Sequence, residues 1–379
     1  MTDALIIGGG AIGLASAWSL AQRGLEVTVL ERDSAGEHAA SRAAAGMLSA
    51  QLETHPSEAM AELCLQGRER HKTFLPELAE ATGVDLDYRV LGALRVAWTE
   101  VDAGKLRALI EEQRRRGWNA ELLAPREAYH LEPTLGPCHC AGYFEGESVV
   151  DPRRLIVALT EACKAHGVTL RTGVEVTEVQ HRNGRAEGVL MTNGERLTAE
   201  HVVIAGGAWS ASIHGTGLTG AGLAGTAPSA IVRPIRGQML QLRHACPPAH
   251  LIDGPGAYLS PRSDGRVLVG STLEDVGFQR GVTPEATESL LQAAIRLVPH
   301  LADATIVERW CGFRPTTRDR MPLLGLTPTG ALVATGHHRN GILLAAVTAD
   351  IVTAIITGEA SPIELAPFAP AREMRPADR

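Results

Sequence analysis

Three glycines and one acidic residue near the N-terminus have the spacing of a nucleotide-binding turn. In GGGAIG, Gly8 permits a tight turn, Gly10 lets the backbone approach a pyrophosphate, and Gly13 lets a helix and a strand pack closely. Glu31 follows about 20 residues later, where a carboxylate can accept both hydroxyls of an adenosine ribose. A glycine-rich turn that binds nothing is the alternative. The strand context and the acidic residue together favour a dinucleotide.

The residues around this turn predict a βαβ unit. The stretch ALIIGGGAIGLASAWSLAQRGLEVTVLER predicts a short apolar strand, a glycine turn, a helix that ends at Gly24, and a second strand that ends at Glu31. The N-terminus of such a helix carries unpaired N–H groups and the positive end of the helix dipole. We therefore expect phosphate groups to bind where this helix begins.

Two later segments continue the α/β pattern. VVDPRRLIVALTEACKAHGVTL predicts a helix with Asp151 as its N-cap and Pro152 at its first position, and EVTEV predicts a following strand. HVVIAGGAW, at residues 201–209, predicts an apolar strand that ends in two glycines. Such glycines are expected where the backbone approaches a cofactor.

Short β-rich runs of a different character lie between these segments. GALRVAW, RGQMLQL and AYLSPRSDGRVLVGST are typical of antiparallel strands, and SDG predicts a hairpin turn. The predicted fold class is α/β, with an antiparallel β-sheet substrate domain inserted twice into a nucleotide-binding domain. The nucleotide-binding domain is predicted to comprise residues 1–88, 148–220 and 309–379, and the substrate domain residues 89–147 and 221–308.

Composition and charge argue against several classes of partner. The 379 residues are 45% hydrophobic and 21% charged, with a net charge of −7. No basic run exceeds RRR at 114–116, so we expect neither nucleic acid nor an anionic membrane as a partner. The first apolar residues follow no basic segment, which argues against a signal peptide. The apolar run at 341–358 is interrupted by Asp350 and predicts a buried helix instead of a membrane span.

The cysteines favour a cytoplasmic protein with free thiols, because they are scattered and form no disulfide-type pattern. They are Cys64, Cys138, Cys140, Cys163, Cys246 and Cys311. The PCHC segment, with His139 between two of them, could ligate a metal, but no second Cys/His pair has a suitable spacing. We therefore predict no metal site.

A set of motifs, occurring in order along nearly the whole chain, resembles the glycine oxidases of the D-amino-acid oxidase superfamily, in the branch linked to thiamin biosynthesis. The motifs are GGGAIG, VLERD, AASRAAAGMLSAQ, VDPRRL, VVIAGGAWS, AYLSPR, GFRPTTRDRMPLLG and GHHRNGILLA. AAAGML and GHHRNGILLA look like that branch, whereas GGGAIG fits any FAD or NAD protein. The resemblance implies an FAD-binding Rossmann-like domain of the glutathione-reductase type. Some sarcosine oxidases attach flavin covalently at a position that matches Gly312, not Cys311, so we expect non-covalent FAD.

The resemblance also implies which residues contact FAD. They are Gly8, Gly10, Ala11, Ile12 and Gly13 at the pyrophosphate, Glu31 and Arg32 at the ribose, Ala40, Ser41, Ala45, Gly46 and Met47 in a second loop, Val176 at the adenine, and His337, His338, Arg339, Asn340, Gly341, Ile342 and Leu343 around the isoalloxazine. We expect Gly341 to open the apolar helix, whose N-terminus would then stabilise the negative charge of reduced flavin. A capping loop with solvated side chains is the alternative for HHRNG.

Other matched positions imply a binding site for an amino-acid carboxylate. Arg314 matches the family position that holds this group, which suits a planar, always-charged guanidinium. Tyr258 matches a tyrosine that donates its hydroxyl to the same carboxylate, and Arg339 matches another arginine of the pocket. Met47 and Ser49 fall on the substrate side, where bulk would favour small substrates.

Structural roles are the alternatives for these residues. Arg314 could form an ion pair with Asp319 or Glu308. Tyr258 could pack on a neighbouring strand, and Ser49 could belong to ordinary packing.

The resemblance implies hydride transfer from a small amino acid with a neutral amine, without a protein base. Dioxygen then reoxidises the flavin to give hydrogen peroxide, and water converts the imine to a 2-oxo acid and ammonia. Two related enzymes are alternatives: a sarcosine oxidase, and a D-amino-acid dehydrogenase that uses another electron acceptor. A third alternative is a flavin subunit that is active only in a complex or with a thiazole-forming partner. The sequence does not determine which of glycine, sarcosine and small D-amino acids is the preferred substrate. It also leaves open whether the protein is a monomer or a homo-oligomer.

Overall fold

The computed structural model describes residues 2–33, 39–52, 55, 57–218 and 231–374. Their strands form two large sheets and one small sheet.

The strands, in chain order, are β1 (Thr2–Ile7), β2 (Val27–Glu31), β3 (Met47–Leu48), β4 (Arg89–Val90), β5 (Ala93–Ala97), β6 (Glu121–Leu123), β7 (Cys140–Phe144), β8 (Ser148–Val149), β9 (Thr169–Thr172), β10 (Val176–Arg182), β11 (Arg185–Met191), β12 (Arg196–Ile204), β13 (Arg233–Arg243), β14 (Leu251–Gly254), β15 (Ala257–Pro261), β16 (Arg266–Gly270), β17 (Thr305–Thr316), β18 (Leu323–Leu326) and β19 (Leu332–Thr335). The α-helices are α1 (Ala11–Gln22), α2 (Ala40–Ala43), α3 (Glu58–Thr82), α4 (Glu100–Arg115), α5 (Pro125–Leu131), α6 (Pro152–Ala165), α7 (Pro284–Leu297) and α8 (Ala345–Thr357). Short 3₁₀ helices cover Gly207–Ser212, Pro299–Asp303 and Ala366–Phe368.

The first sheet contains the predicted βαβ unit. Its order is β10-β11-β12-β1-β2-β9, and β19 pairs with both β12 and β18. β1 runs parallel to β2 and to β12, and β2 runs parallel to β9. The carboxyl ends of these strands therefore meet at one edge, which is where open α/β sheets bind ligands.

Helices α1, α3, α6 and α8 share one hydrophobic core, in which Trp18 is 1% exposed. The predicted cap of α6 is confirmed: the Asp151 carboxylate accepts hydrogen bonds from the amides of Arg153 and Arg154 at 3.0 and 3.2 Å. The small sheet, β3-β8-β4, lies where the chain passes between the two large sheets.

The second large sheet has the order β17-β13-β16-β15-β14-β5-β7-β6. It is antiparallel except between β14 and β5. The SDG hairpin is confirmed between β15 and β16. The predicted domain boundary at residue 309 falls inside β17, because the ladder with β13 continues to Thr316. The boundary at 221 lies outside the described residues, and the division into domains stays a prediction.

The last helix begins later than the sequence indicates. Gly341 opens a turn, and α8 itself begins at Ala345 after Leu344 as N-cap. The turn forms because the amide of Asn340 donates to the His337 carbonyl at 2.9 Å before regular helical bonding starts. No helix among the described residues is long and apolar enough to cross a membrane.

Candidate active site

A long cavity runs along the carboxyl edge of the first sheet and ends on the second sheet. Most of the residues predicted to bind cofactor or substrate line it. They are Gly8, Gly10, Ala11, Ile12, Glu31, Arg32, Ala40, Ser41, Ala45, Gly46, Met47, Ser49, Val176, Tyr258, Arg314, His337, His338, Arg339, Asn340, Gly341 and Ile342.

Gly13 and Leu343 are predicted contacts that lie behind the cavity wall. A Cβ atom on Gly13 would overlap the carbonyl oxygen of Gly8, so this glycine serves the close packing of α1 on β1. The Leu343 side chain is 1% exposed and packs in the hydrophobic core instead of facing the cavity.

The turn between β1 and α1 is open toward the cavity. Gly8 has a φ of 115°, which favours glycine, and a Cβ there would collide with the Ala205 carbonyl. Gly10 is the N-cap of α1 and has no side chain to cap the helix, while the Ala11 amide donates to Ser41 Oγ at 3.0 Å. Because Gly10 carries no side chain, the positive end of α1 is accessible to an anionic group next to Ser41.

Glu31 is fixed at the end of β2 by two backbone amides. Its Oε2 accepts from the Gly9 amide at 2.6 Å, and its Oε1 accepts from the Asp33 amide at 2.8 Å. A carboxylate has lone pairs for further donors beyond these two bonds. Glu31 can therefore accept hydrogen bonds from ribose hydroxyls while its side chain stays in place.

Trp209 lines the cavity, although the sequence analysis did not assign it to the site. The Arg32 guanidinium lies 4.4 Å from the centre of its ring, at cation–π distance. Phe278 stacks on the same tryptophan with ring centres 5.0 Å apart. The sequence signal for Trp209 was its position two residues after the glycine pair that follows β12.

Arg314 lies on β17, and its guanidinium crosses over the neighbouring strand β13 at Gly237. A Cβ at position 237 would fall on the guanidinium atoms, so only glycine leaves room for this arrangement. Nη1 donates to the Thr272 carbonyl at 3.1 Å, and Nη2 donates to the Ser271 hydroxyl. These contacts hold the guanidinium flat on the sheet, in the cavity wall.

The acids considered as ion-pair partners of Arg314 bind other arginines. Asp319 accepts from Arg372 at 2.8 and 3.0 Å, and Glu308 accepts from Arg153 at 2.7 and 2.8 Å. The role of Arg314 in ligand binding stays a prediction.

Tyr258, on β15, lies flat in the same way over Gly270 of β16, where a Cβ would collide with the phenol hydroxyl. The hydroxyl donates to Met239 Sδ at 3.4 Å. Met239 follows Gly237 by two residues on β13, so both face the same side, about 7 Å apart along the strand. The phenol hydroxyl and the Arg314 guanidinium therefore converge over neighbouring positions of β13. The sequence signal that was missed is a glycine inside each strand, which often marks a close approach.

Met47 and Ser49 line the cavity on a separate segment of the chain. Met47 packs in one apolar cluster with Met239 and Tyr258. Its segment, residues 43–52, is bonded to the second sheet at both ends. Trp310 Nε1 donates to the Ala43 carbonyl at 3.0 Å, and Arg95 Nη1 donates to the Leu52 carbonyl. This segment and the second sheet are therefore directly joined.

Glu147 supports this segment from behind. Its carboxylate accepts from the amides of Ala50 and Gln51 at 3.0 and 2.8 Å, and it lies 3.4 Å from Arg68 Nη1. Burial raises the pKa of Glu147 to about 7, against the opposing effects of Arg68 and the amides. The Ser49 hydroxyl lies beside this carboxyl and also lowers its pKa.

The two histidines of the turn before α8 are neutral at neutral pH. Burial lowers the pKa of His337 to about 3. Burial also lowers the pKa of His338, assisted by the charges of Arg314 and Arg339. Arg339 itself is exposed at the cavity wall. Neither imidazole can therefore serve as a cationic acid or anchor.

Residues 3–355 match the family model described as FAD dependent oxidoreductase. The chain belongs to this family. FAD is its cofactor. The glycine at the N-cap of α1, at the pyrophosphate turn, and the anchored Glu31, at the adenosine end, fit that cofactor.

Relatives and solved structures confirm the resemblance to glycine oxidases. The glycine oxidase of Geobacillus kaustophilus is 35% identical over 378 residues, which cover 98% of this chain and 97% of that protein. Its crystal structure has a TM-score of 0.91, with 99% of each chain covered. The bifunctional protein ThiO/ThiG of Synechocystis sp. is 36% identical over 98% of this chain. The chain spans about half the length of that bifunctional relative, 54% of it.

Proposed function

We propose that this protein oxidises glycine and other small amino acids, including sarcosine and small D-amino acids. The substrate, dioxygen and water give a 2-oxo acid, hydrogen peroxide and ammonia, or methylamine when the substrate is sarcosine, through hydrolysis of an imine. The observation that supports this proposal is the convergence of Arg314 and Tyr258 over the glycines of the second sheet, at the end of the FAD-binding cavity. Bound FAD supplies the two-electron acceptor.

The chain contributes binding and orientation. Arg314 binds the substrate carboxylate with two parallel N–H donors, and Tyr258 donates its hydroxyl to the same group. A substrate held in this way presents its α-carbon in one orientation, which removes much of the entropic barrier. Met47, packed against Tyr258, adds apolar bulk at one side of the carboxylate site.

Proton transfer needs no dedicated base in this site. The lowered pKa values of His337 and His338 make both imidazoles weak proton acceptors. The substrate supplies the driving electron pair from its own neutral amine as the α-hydrogen leaves as hydride. The buried side chain of Cys311, 3% exposed, and the presence of Gly312 in the cavity wall support non-covalent FAD.

A peroxide-coupled screen tests the proposal. Purified protein is assayed with glycine, sarcosine, D-alanine, D-proline and their L-forms where these exist. Ethylamine serves as the control that lacks a carboxylate. We expect peroxide from the small amino acids and little from ethylamine. Equal turnover of ethylamine would contradict the carboxylate-binding role of Arg314.

A second candidate is a flavin subunit that is active only within a complex. The hydrogen cyanide synthase subunit HcnC of Pseudomonas aeruginosa is 29% identical over 98% of this chain and 96% of that protein. This relative favours the subunit hypothesis, and the ThiO/ThiG relatives favour delivery of the imine to a thiazole-forming partner. If glycine reduces the flavin of the isolated chain but no oxygen is consumed, the result would support a different electron acceptor or a missing partner.

A further inference from the structure

A row of directly opposed residues crosses the second sheet and extends the cavity floor beyond the carboxylate site. In adjacent strands, Met239 faces Gly270, Gly270 faces Tyr258, Tyr258 faces Asp253, and Asp253 faces Arg95. Directly opposed residues in a sheet point to the same face, with Cβ atoms about 5 Å apart. Asp253 is therefore next to Tyr258 on the face that carries Met239.

Asp253 is a cavity residue with no role in the proposed reaction so far. It lines the cavity, and its side chain is 23% exposed. Arg95 Nε lies 3.6 Å from its Oδ2, which leaves the pair looser than a bidentate ion pair. The Arg95 side chain is also held by the Leu52 carbonyl. A carboxylate has lone pairs for several donors, so Asp253 can accept one more from a ligand.

The separation from Arg314 sets the size of that ligand. Asp253 lies on β14, three strands from β13, where the Arg314 guanidinium packs over Gly237. Three strand spacings amount to about 14 Å across the sheet, and Gly237 lies about 7 Å along β13 from Met239, which gives roughly 16 Å between backbones. The Asp253 side chain shortens this gap. Glycine bound at Arg314 does not reach Asp253. An amino acid with an extended side chain does.

We propose that Asp253 is a second recognition point of the cavity, which binds an amine at the far end of an amino-acid side chain. The inference rests on the proposed function, since it assumes that the substrate carboxylate binds Arg314. Asp253 then favours amine-terminated side chains over apolar side chains of the same length. A second carboxylate on the substrate would be rejected by the like charge.

The test compares D-lysine with D-norleucine, which has the same side chain without the amine. Flavin absorbance titrations of the holoenzyme give a Kd for each ligand, and peroxide-coupled assays give each kcat/KM. For the parent protein we expect about 10-fold to 100-fold tighter binding of D-lysine, the value of one charge-assisted hydrogen bond. Asp253→Leu should reverse the preference, and Asp253→Asn should reduce it.

Glu121→Gln is the matched control, because Glu121 is an exposed acid on β6, at the edge of the same sheet. The preference of Glu121→Gln for D-lysine over D-norleucine should equal that of the parent. Flavin retention and the thermal midpoint are measured for every variant. The inference would be overturned if both Asp253 variants keep the parent's ratio of the two Kd values but have a lower thermal midpoint. Asp253 would then serve only in a structural ion pair.

The titration separates this inference from the proposed function. If the parent oxidises glycine but binds D-norleucine as tightly as D-lysine, only the role of Asp253 fails. If the parent oxidises no amino acid but binds D-lysine more tightly through Asp253, the proposed reaction fails and the recognition point stands.

Discussion

Replacing Gly237 by alanine should disable the carboxylate site without removing any group that touches the substrate. The new Cβ would occupy the space of the Arg314 guanidinium. The backbone at 237 is fixed by its pairing with Gly312, so the guanidinium must move instead. Its bonds to Ser271 and Thr272 are then strained or lost.

The expected loss of activity is derived from two changes at Arg314, its deletion and its displacement. Deleting the guanidinium in Arg314→Ala leaves a desolvated carboxylate unpaired, which costs on the order of 3 to 5 kcal/mol, or roughly 10²- to 10³-fold in affinity. A displacement of about 1 Å in Gly237→Ala should cost roughly 10²-fold in kcat/KM. Both variants should retain the flavin.

Steady-state kinetics on glycine and flavin absorbance on the same preparations provide the assay. Because the two changes act through one guanidinium, the double variant should be no worse than Arg314→Ala alone. Gly104→Ala is the control, since Gly104 lies on the exposed face of α4 with nothing within 4 Å of an added Cβ. Additive losses in the double variant, or an unchanged KM in Gly237→Ala, would refute the reasoning.

Three further variants test the cofactor end of the cavity, the carboxylate site and the support behind residues 43–52. Glu31→Ala should weaken FAD binding by about 1.5 to 3 kcal/mol and largely keep the turnover at saturating FAD. Reconstitution of the apoprotein measures the FAD affinity. An unchanged affinity would show that Glu31 does not bind the ribose. Tyr258→Phe should raise KM modestly and leave kcat within about tenfold, whereas a large loss of kcat across the pH range would show that the hydroxyl acts in proton transfer. Glu147 has a folded pKa of about 7, above its ordinary 4.5, so its contribution to stability is complete below pH 4.5 and is lost as the pH rises through 7. The thermal midpoint should therefore fall between pH 5 and 8, and Glu147→Gln should flatten that change; an equal fall in the variant would assign the pH dependence to other groups.

Local sequence signals predicted the first sheet well. The turn at Gly8, the helix that follows it and the cap at Asp151 depend on residues within a few positions of one another, and the structure has all of them. The start of α8 was wrong by four residues, because the hydrogen bonds of the preceding turn depend on backbone geometry that periodicity does not encode.

The second sheet contributes what the sequence could not reveal. In the sequence, Gly237 and Gly270 are glycines inside strands, with no sign of which side chains pass over them. Those side chains are identified only by the pairing of β13 with β17 and of β15 with β16. Asp253 joins the cavity through the same long-range register. Such register depends on strands far apart in the chain, so motif spacing alone does not determine it.

The bonds that join residues 43–52 to the second sheet have a consequence for unfolding. Trp310 and Arg95 hold the ends of this segment, and Ser260 Oγ donates to the Ala45 carbonyl between them at 3.2 Å. Just before this segment, Ser41 Oγ accepts a hydrogen bond from the Ala11 amide, at the start of the helix that follows the glycine turn of the first sheet. The segment thus links the two parts of the fold, and amide hydrogens in both sheets should exchange with solvent in one cooperative event. Loss of FAD should accelerate that exchange in the substrate sheet as strongly as in the sheet that carries the glycine turn.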